Sequence, residues 1–357
     1  MAAVAVFLPN WIGDVVMATP AIRAARQHFG SARFVAVCKP YVADVLAGSP
    51  WFDELILLDK KGPRDRRFVA ALGKLRALDV DTAILFPNSF RIALLARLAG
   101  CRTVVGFARY FRDGLLSHRL YPTRGESGRP KPMPIIDDYN RIVEKIGVPD
   151  PGHRMELFTT PIDDAAAESF WSKHSLQRFS SVVGLNPGGA FGAAKHWPTE
   201  YFADLARSFV DRHGAGVIVL CGPAERDTAK RIAALAQRPG VVAMGDTGLS
   251  LGLTKAIVRR LSALVTTDSG PRHFAAAFDV PVVSLFGPTH IGWTETYFAK
   301  AINLQKQLPC GPCQQRVCPL VHHRCMTELA PAEAFAATDD LLRKFKDEPH
   351  RAHRHAG

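Results

Sequence analysis

The sequence predicts two successive doubly wound α/β domains, and three observations carry that prediction. Short continuous apolar runs alternate with helical periodicity nearly from end to end. The alternation pauses once, at the Pro/Gly-rich stretch VPDPGH over 148–153, and then starts again. A length of 357 residues is enough for two buried cores of ordinary size. The balance of 47% hydrophobic and 22% charged residues belongs to a globular chain and excludes a disordered or collagen-like one.

In the first half, residues 4–8, 34–38, 55–58 and 83–86 read as strands of a buried parallel sheet, being apolar runs bounded by Gly, Pro or charge. Residues 135–146 carry one apolar stripe at helical spacing, Ile135, Ile136, Tyr139, Ile142, Val143 and Ile146, ended by Gly147 before Pro149. A short helix over 162–174 leads to a second series, with strands at 182–185, 217–220, 241–244, 263–266 and 282–286. The expected domains are therefore 1–160 and 161–345, followed by a basic, His-rich flexible tail over 346–357. In sheets of this kind ligands bind where strand carboxyl ends meet helix N-termini, so the expected site is a central cleft that the two domains face.

The formal net charge is +12, which points to an anionic partner: nucleic acid, a phosphorylated metabolite or an anionic lipid. The charge is not spread evenly. Residues 60–131 hold sixteen Lys and Arg against five Asp and Glu, an excess of eleven in one segment of the first domain. A nucleic-acid binder would interleave aromatics with such a stretch and show a recognised module, and neither stands out, so no nucleic acid is expected. No apolar run reaches the roughly 18 residues of a membrane span, and the N-terminus MAAVAVFLPN lacks a basic leader segment. The expected location is cytoplasmic, with at most peripheral membrane contact.

Four segments carry chemistry. The first strand runs into WIGD at 11–14, where Gly13 allows a tight turn and Asp14 falls at the start of a helix. No G-x-G-x-x-G is present in that turn. The second is FPNSF at 86–90. The third, PGGAFGAAKHWP at 187–198, follows a strand. Gly188, Gly189 and Gly192 permit close backbone approach and Lys195 adds a point charge, a phosphate-binding chemistry outside the Walker pattern. In DSGPRH at 268–273, Asp268, Ser269 and Gly270 are expected to cap a helix, with Arg272 and His273 one turn in. Two anion-ready helix ends in one domain suit a pyrophosphate.

These four motifs, in this order, resemble the ADP-heptose:lipopolysaccharide heptosyltransferases, glycosyltransferase family nine, over nearly the whole chain. The segment NSF, with Gly106 and GLL at 114–116, is more similar to the heptosyltransferase II branch than to the I branch. The resemblance implies the GT-B architecture of two Rossmann-like domains, the acceptor held by the first and the nucleotide sugar by the second. It implies an inverting transfer from ADP-heptose to the Kdo–lipid A inner core, with no catalytic cofactor. Asp14 would be the general base and Lys195 the phosphate-binding cation. Gly188, Gly189, Asp268, Ser269, Gly270 and His273 would complete the diphosphate site, Glu225 would contact the ribose and Leu249 the adenine. Gly13, Asn88, Ser89, Arg91, Arg109 and Arg112 would serve the acceptor, whose phosphates and carboxylates suit arginine. Asn10 and the Pro271–Arg272 pair depart from the family pattern. Other readings on the same fold are a non-catalytic nucleotide-sugar-binding protein and a family nine transferase with another donor sugar.

Seven cysteines, an odd number, argue against a disulfide framework. Four of them, Cys310, Cys313, Cys318 and Cys325, fall within sixteen residues that also hold His322 and His323. The spacing suits a closed structural zinc site that orders the loop, an iron–sulfur cluster, or free or paired thiols.

Overall fold

The computed structural model describes residues 3–125, 131–189, 191–246, 248–346 and 348. The chain divides into two compact units, one of Met1–Phe158 with Gly292–Tyr297, the other of Thr159–Ile291 with Phe298–Gly357. The tail expected at 346–357 lies for the most part outside the described residues, but Glu348 is placed, pairing with Lys300 at 2.9 Å.

The first unit holds a six-stranded parallel sheet. Its strands are β1 (Ala3–Phe7), β2 (Arg33–Cys38), β3 (Glu54–Leu57), β4 (Val80–Leu85), β5 (Thr103–Phe107) and β6 (His118–Leu120), in the order β3-β2-β1-β4-β5-β6. Ala5 pairs with Val35 on one side and Ala83 on the other, which places β1 in the middle. Its five residues are all buried, as the continuous apolar run requires of a strand covered on both faces. Phe7, Val35, Ile56, Leu75, Leu85 and Val104 meet in one core, each worth about 1.5–3 kcal/mol on burial. The amphipathic helix is Ile135–Glu144, and Ile136, Tyr139, Ile142 and Val143 of the expected stripe are its buried face, with Asn140 beside them.

The second unit repeats the plan with β7 (Val182–Asn186), β8 (Gly216–Val219), β9 (Val241–Ala243), β10 (Ala263–Thr267), β11 (Val282–Phe286) and β12 (Ala301–Gln305), in the order β12-β11-β10-β7-β8-β9. It opens with the helix Pro161–Lys173. Thr160 accepts from the Asp163 N–H at 3.3 Å and donates its own N–H to the Asp163 carboxylate at 3.0 Å, a reciprocal cap. Read from its own first strand, each sheet has the same doubly wound order, 3-2-1-4-5-6, so each has a switch point between its first and fourth strands. Those points are β1/β4 and β7/β10. Three strands go beyond the sequence reading: β5, the three-residue edge β6, and β12, half-buried throughout. Among the described residues no helix is long and apolar enough to cross a membrane.

Candidate active site

At the β7/β10 switch point the chain leaves β7 through Asn186 into the Gly-rich loop and leaves β10 into Asp268 and the helix Gly270–Ala277. Adjacent parallel strands bring the two loops together although they are about 75 residues apart in the chain. The Lys195 ammonium donates to the Asp268 carboxylate at 2.5 Å and to the Asp268 carbonyl at 3.0 Å. Lys195 is 8% exposed and Asp268 7%, so the pair is dry. Thr289 donates its hydroxyl to the same carboxylate at 2.7 Å, and the Arg272 guanidinium stands 3.6 Å away. Burial pushes the Asp268 carboxyl up, yet Lys195, Arg272 and the two hydrogen bonds outweigh it and hold it below the usual carboxylate range.

The expected capping is not what these residues do. Ser269 is the N-cap of Gly270–Ala277, but neither its hydroxyl nor the Asp268 carboxylate caps the helix. Ser269 instead accepts from the Asn186 amide at 2.8 Å, while Asn186 also donates to Thr266 at 2.9 Å. Thr267 donates its hydroxyl to the Gly188 carbonyl. The side chains stitch the loops to each other, while at the helix start Pro271 has no N–H to give and the Arg272 N–H donates to Ser269 O at 3.3 Å. His273 is 4% exposed, and burial, then Arg272, then Lys195 push its pKa down to about 3. It is therefore neutral at pH 7, and its Nδ1 is buried without a hydrogen-bond partner among the described residues. That leaves one unpaired buried polar atom inside a cluster of charges.

Glu225 accepts from the Gly222 N–H at 3.0 Å and lies against Gly188, where an added Cβ would stand 3.4 Å from its carboxyl carbon. Of the donor-side candidates, Gly188, Gly189, Lys195, Glu225, Asp268, Ser269, Gly270 and His273 thus follow the carboxyl ends of three neighbouring strands, β7, β8 and β10. Leu249 is not among them; it sits half-buried in the loop after β9, two strands away from β7.

In the first unit, Asp14 occupies the first turn of the helix Ile12–Met17, directly after β1 and half-buried. The Tyr139 phenol hydrogen-bonds its carboxylate. Burial first, then the charges of Asp14 and Asp138, raise the Tyr139 pKa well above its ordinary value, so the phenol stays a donor. The Tyr139 ring packs edge-on against Phe86 at 5.0 Å, which locks it in place. Sequence reading sees Tyr139 only as one member of an apolar stripe. Asn88 and Ser89 follow β4, across the switch point from Asp14, with Ser89 at the N-cap position of the helix Phe90–Leu98.

Arg112 is corrected from its expected role as an acceptor contact. It has no exposed surface, and its guanidinium is spent inside the unit, donating to Phe107 O at 2.7 Å, Pro87 O at 2.6 Å and Asn88 Oδ1 at 2.9 Å. Burial and the neighbouring Arg109 push its pKa down to about 10, still charged at pH 7. Arg112 shapes the Pro87–Asn88 loop from beneath. Arg109 and Arg91 are half-exposed; the Arg91 guanidinium stacks 5.3 Å from the Phe68 ring, and Arg109 lies near enough to Asp138 to offset part of the rise that burial gives that carboxyl.

The four clustered cysteines line one cavity of about 30 Å³ with His322, His323, Ala194, Gly287 and Pro288. None of the seven cysteines is bonded to another. Among the described residues no three of Cys, His, Asp or Glu stand together as a metal site, so the structural zinc expected from the spacing is not shown. Burial first, then Cys313, Cys318 and Cys310, push the Cys325 thiol up, as thiols close to one another do.

The glycosyltransferase family 9 (heptosyltransferase) model matches residues 69–323. The chain is 27% identical to lipooligosaccharide heptosyltransferase 2 of Campylobacter jejuni over 345 residues, 95% of this chain and 98% of that one. It is 25% identical to lipopolysaccharide heptosyltransferase 2 of Escherichia coli over 303 residues, 82% of this chain and 85% of the other. The solved structure of E. coli ADP-heptose LPS heptosyltransferase II superposes with a TM-score of 0.77 at 22% identity, covering 96% and 99% of the two chains. A family 9 glycosyltransferase from Veillonella parvula gives 0.83 at 24%, covering 96% and 98%. With its two doubly wound sheets and the charged, partly unsatisfied cluster at a strand switch point, this chain belongs to glycosyltransferase family 9, the heptosyltransferases, and is an enzyme of glycosyl transfer.

Proposed function

We propose that the protein is an inverting transferase that moves heptose from ADP-heptose to the heptose/Kdo inner core of lipopolysaccharide; relatives named lipooligosaccharide or lipopolysaccharide heptosyltransferase 2 support the heptosyl transfer. The observation that carries the reading is the Lys195–Asp268–His273 cluster. It places a fixed cation, a neutral imidazole with an unpaired nitrogen and a helix end where a diphosphate fits. Gly188 and Gly189 let the backbone approach the phosphates, and Glu225 beside Gly188 suits the ribose hydroxyls. Leu249 is assigned to the adenine side.

Asp14 acts as the general base. Its carboxylate takes the proton from the acceptor hydroxyl as that oxygen bonds to C1 of the heptose from the face opposite the diphosphate. The bond from C1 to the phosphate oxygen breaks, and ADP leaves with the electron pair. Lys195 and the Gly270 N–H at the helix start meet the negative charge as it grows, and no cofactor is required. Tyr139 orients the base through its hydrogen bond. Gly13, Asn88, Ser89, Arg91 and Arg109 serve the anionic acceptor, Arg112 through Asn88. Tyr110 and Phe111, 66% and 97% exposed within the basic segment, suit peripheral contact with the inner face of the cytoplasmic membrane. Co-sedimentation with phosphatidylglycerol vesicles, lost in Phe111→Ser, tests that contact.

ADP-heptose turnover on heptosylated Kdo–lipid A, wild type against Asp14→Asn, tests the chemistry. The expected result is a loss in kcat of about 100-fold or more. Equal rates would end the general-base assignment, and turnover of a different nucleotide sugar would replace the donor.

A further inference from the structure

We infer that the cysteine loop delivers a second cation, Arg316, to the donor diphosphate; this rests on reading the Gly188–Lys195 loop as the phosphate cradle. The two loops are in direct contact. The Ala194 N–H donates to the Arg316 carbonyl at 3.0 Å. At Gly192 the approach is so close that a Cβ would stand 2.5 Å from that carbonyl oxygen and 2.9 Å from the Arg316 Cβ. Only glycine admits the cysteine loop at this point.

The side chains converge as well. The Lys195 ammonium lies 4.8 Å from the centre of the Phe191 ring, and the Arg316 guanidinium carbon lies 5.4 Å from the same centre. One aromatic ring thus positions two cations. Elsewhere the loop is tied down: the Gln314 N–H donates to Pro288 O at 2.8 Å, and Ala194, Gly287 and Pro288 form one wall of the cavity that the four thiols line. Next in the chain, Thr289 holds the Asp268 carboxylate. The cysteine loop is in this way joined to both halves of the donor cluster.

Charge arithmetic says what Arg316 is for. Lys195 and Arg272 both stand at Asp268, so the three together present a net charge of one. A nucleotide-sugar diphosphate carries two negative charges, and the departing nucleoside diphosphate carries more. Arg316 has no carboxylate within salt-bridge distance among the described residues. Its charge is therefore available, and a guanidinium grips phosphate oxygens in pairs where an ammonium acts as a point. The cysteine loop, outside the reacting centre by sequence, becomes part of donor recognition.

The test measures binding of ADP and of AMP by calorimetry, and donor KM, in the full-length wild type, Arg316→Ala, Arg316→Lys and Gly192→Ala. Arg316→Ala is expected to weaken ADP roughly ten- to hundredfold, the usual range for a hydrogen bond to a charged group, while AMP changes much less. Arg316→Lys should recover part of the loss, and Gly192→Ala, which pushes the loop away, should resemble Arg316→Ala. A purely structural role would weaken ADP and AMP alike. That outcome, or ADP binding within twofold of wild type in Arg316→Ala, overturns the inference. Failure of the wild type itself to bind ADP would instead overturn the donor reading on which it rests.

Discussion

Truncating Lys195 to alanine puts the buried donor cluster to the test. The substitution removes the contacts at 2.5 and 3.0 Å and leaves the Asp268 carboxylate, 7% exposed, with Thr289 at 2.7 Å and Arg272 at 3.6 Å. Removing one partner of a buried pair costs about 3–5 kcal/mol, because the other charge is stranded out of water. The longer contact to Arg272 returns part of this, so a net loss of about 2–4 kcal/mol is expected in the second unit. At roughly 2–4 °C per kcal/mol for a body of this size, its melting temperature should fall by about 5–15 °C. Scanning calorimetry at pH 7 reads this, with the second-unit transition identified by its shift on adding ADP. Lys195→Met/Asp268→Asn, which removes both charges, should melt higher than the sum of the single effects implies. The deficit of Lys195→Ala should also narrow as pH falls, because Asp268 without Lys195 takes up a proton more readily. A Lys195→Ala protein melting within about 2 °C of wild type, or additive single and double effects, would refute the reasoning.

Two further outcomes follow from the same geometry. His273 has a native pKa of about 3, below the ordinary 6.5, so the unfolded chain binds its proton first. Its contribution to stability is present above pH 6.5 and is lost as pH falls from there towards 3, about 2 kcal/mol of it by pH 5. His273→Gln should flatten the pH dependence of the second-unit melting temperature over pH 5–7; an unchanged slope counts against the burial argument. In the first unit, Arg112→Met leaves Phe107 O, Pro87 O and Asn88 Oδ1 without their buried donor, a loss of about 3–5 kcal/mol. Arg112→Lys should recover only part of it, and acceptor KM should rise with donor KM unchanged. First-unit melting at the wild-type temperature would show that the guanidinium does not hold the loop.

How much of this was legible depends on range. Interior strands such as β1, β7 and β11 announce themselves because a parallel strand covered on both faces must be continuously apolar. Two edge strands escape that signal, β6 with three residues and β12 half-buried, so nothing forces an apolar run there, whereas the edges β3 and β9 are read from sequence and the interior β5, TVVGF, is missed although four of its five residues are buried. The segment Gly292–Tyr297, which joins the first unit through the bond from Tyr297 to Asp137 at 2.8 Å, carries no local signal of its membership.

The site divides the same way. By itself the sequence determined the residue types that chemistry needs and the strand ends that carry them: Asp14 after β1, the Gly-rich loop after β7, Asp268 to His273 after β10. Those are local patterns, set by the backbone freedom of glycine and by the rule that loops follow strands. Only the tertiary structure decided which of them touch. Lys195 meets Asp268 because β10 lies beside β7; Tyr139 becomes the partner of Asp14 because an amphipathic helix packs under the first turn. Arg112 passed from a surface cation to a buried brace, since exposure depends on whether a loop folds back over its own strand. The cysteine loop lies against the Gly-rich loop and sets Arg316 and Lys195 on one Phe191 ring, a pairing no local pattern signals. Pairings across more than seventy residues are selected by strand order and burial, and those belong to the whole chain rather than to any segment of it.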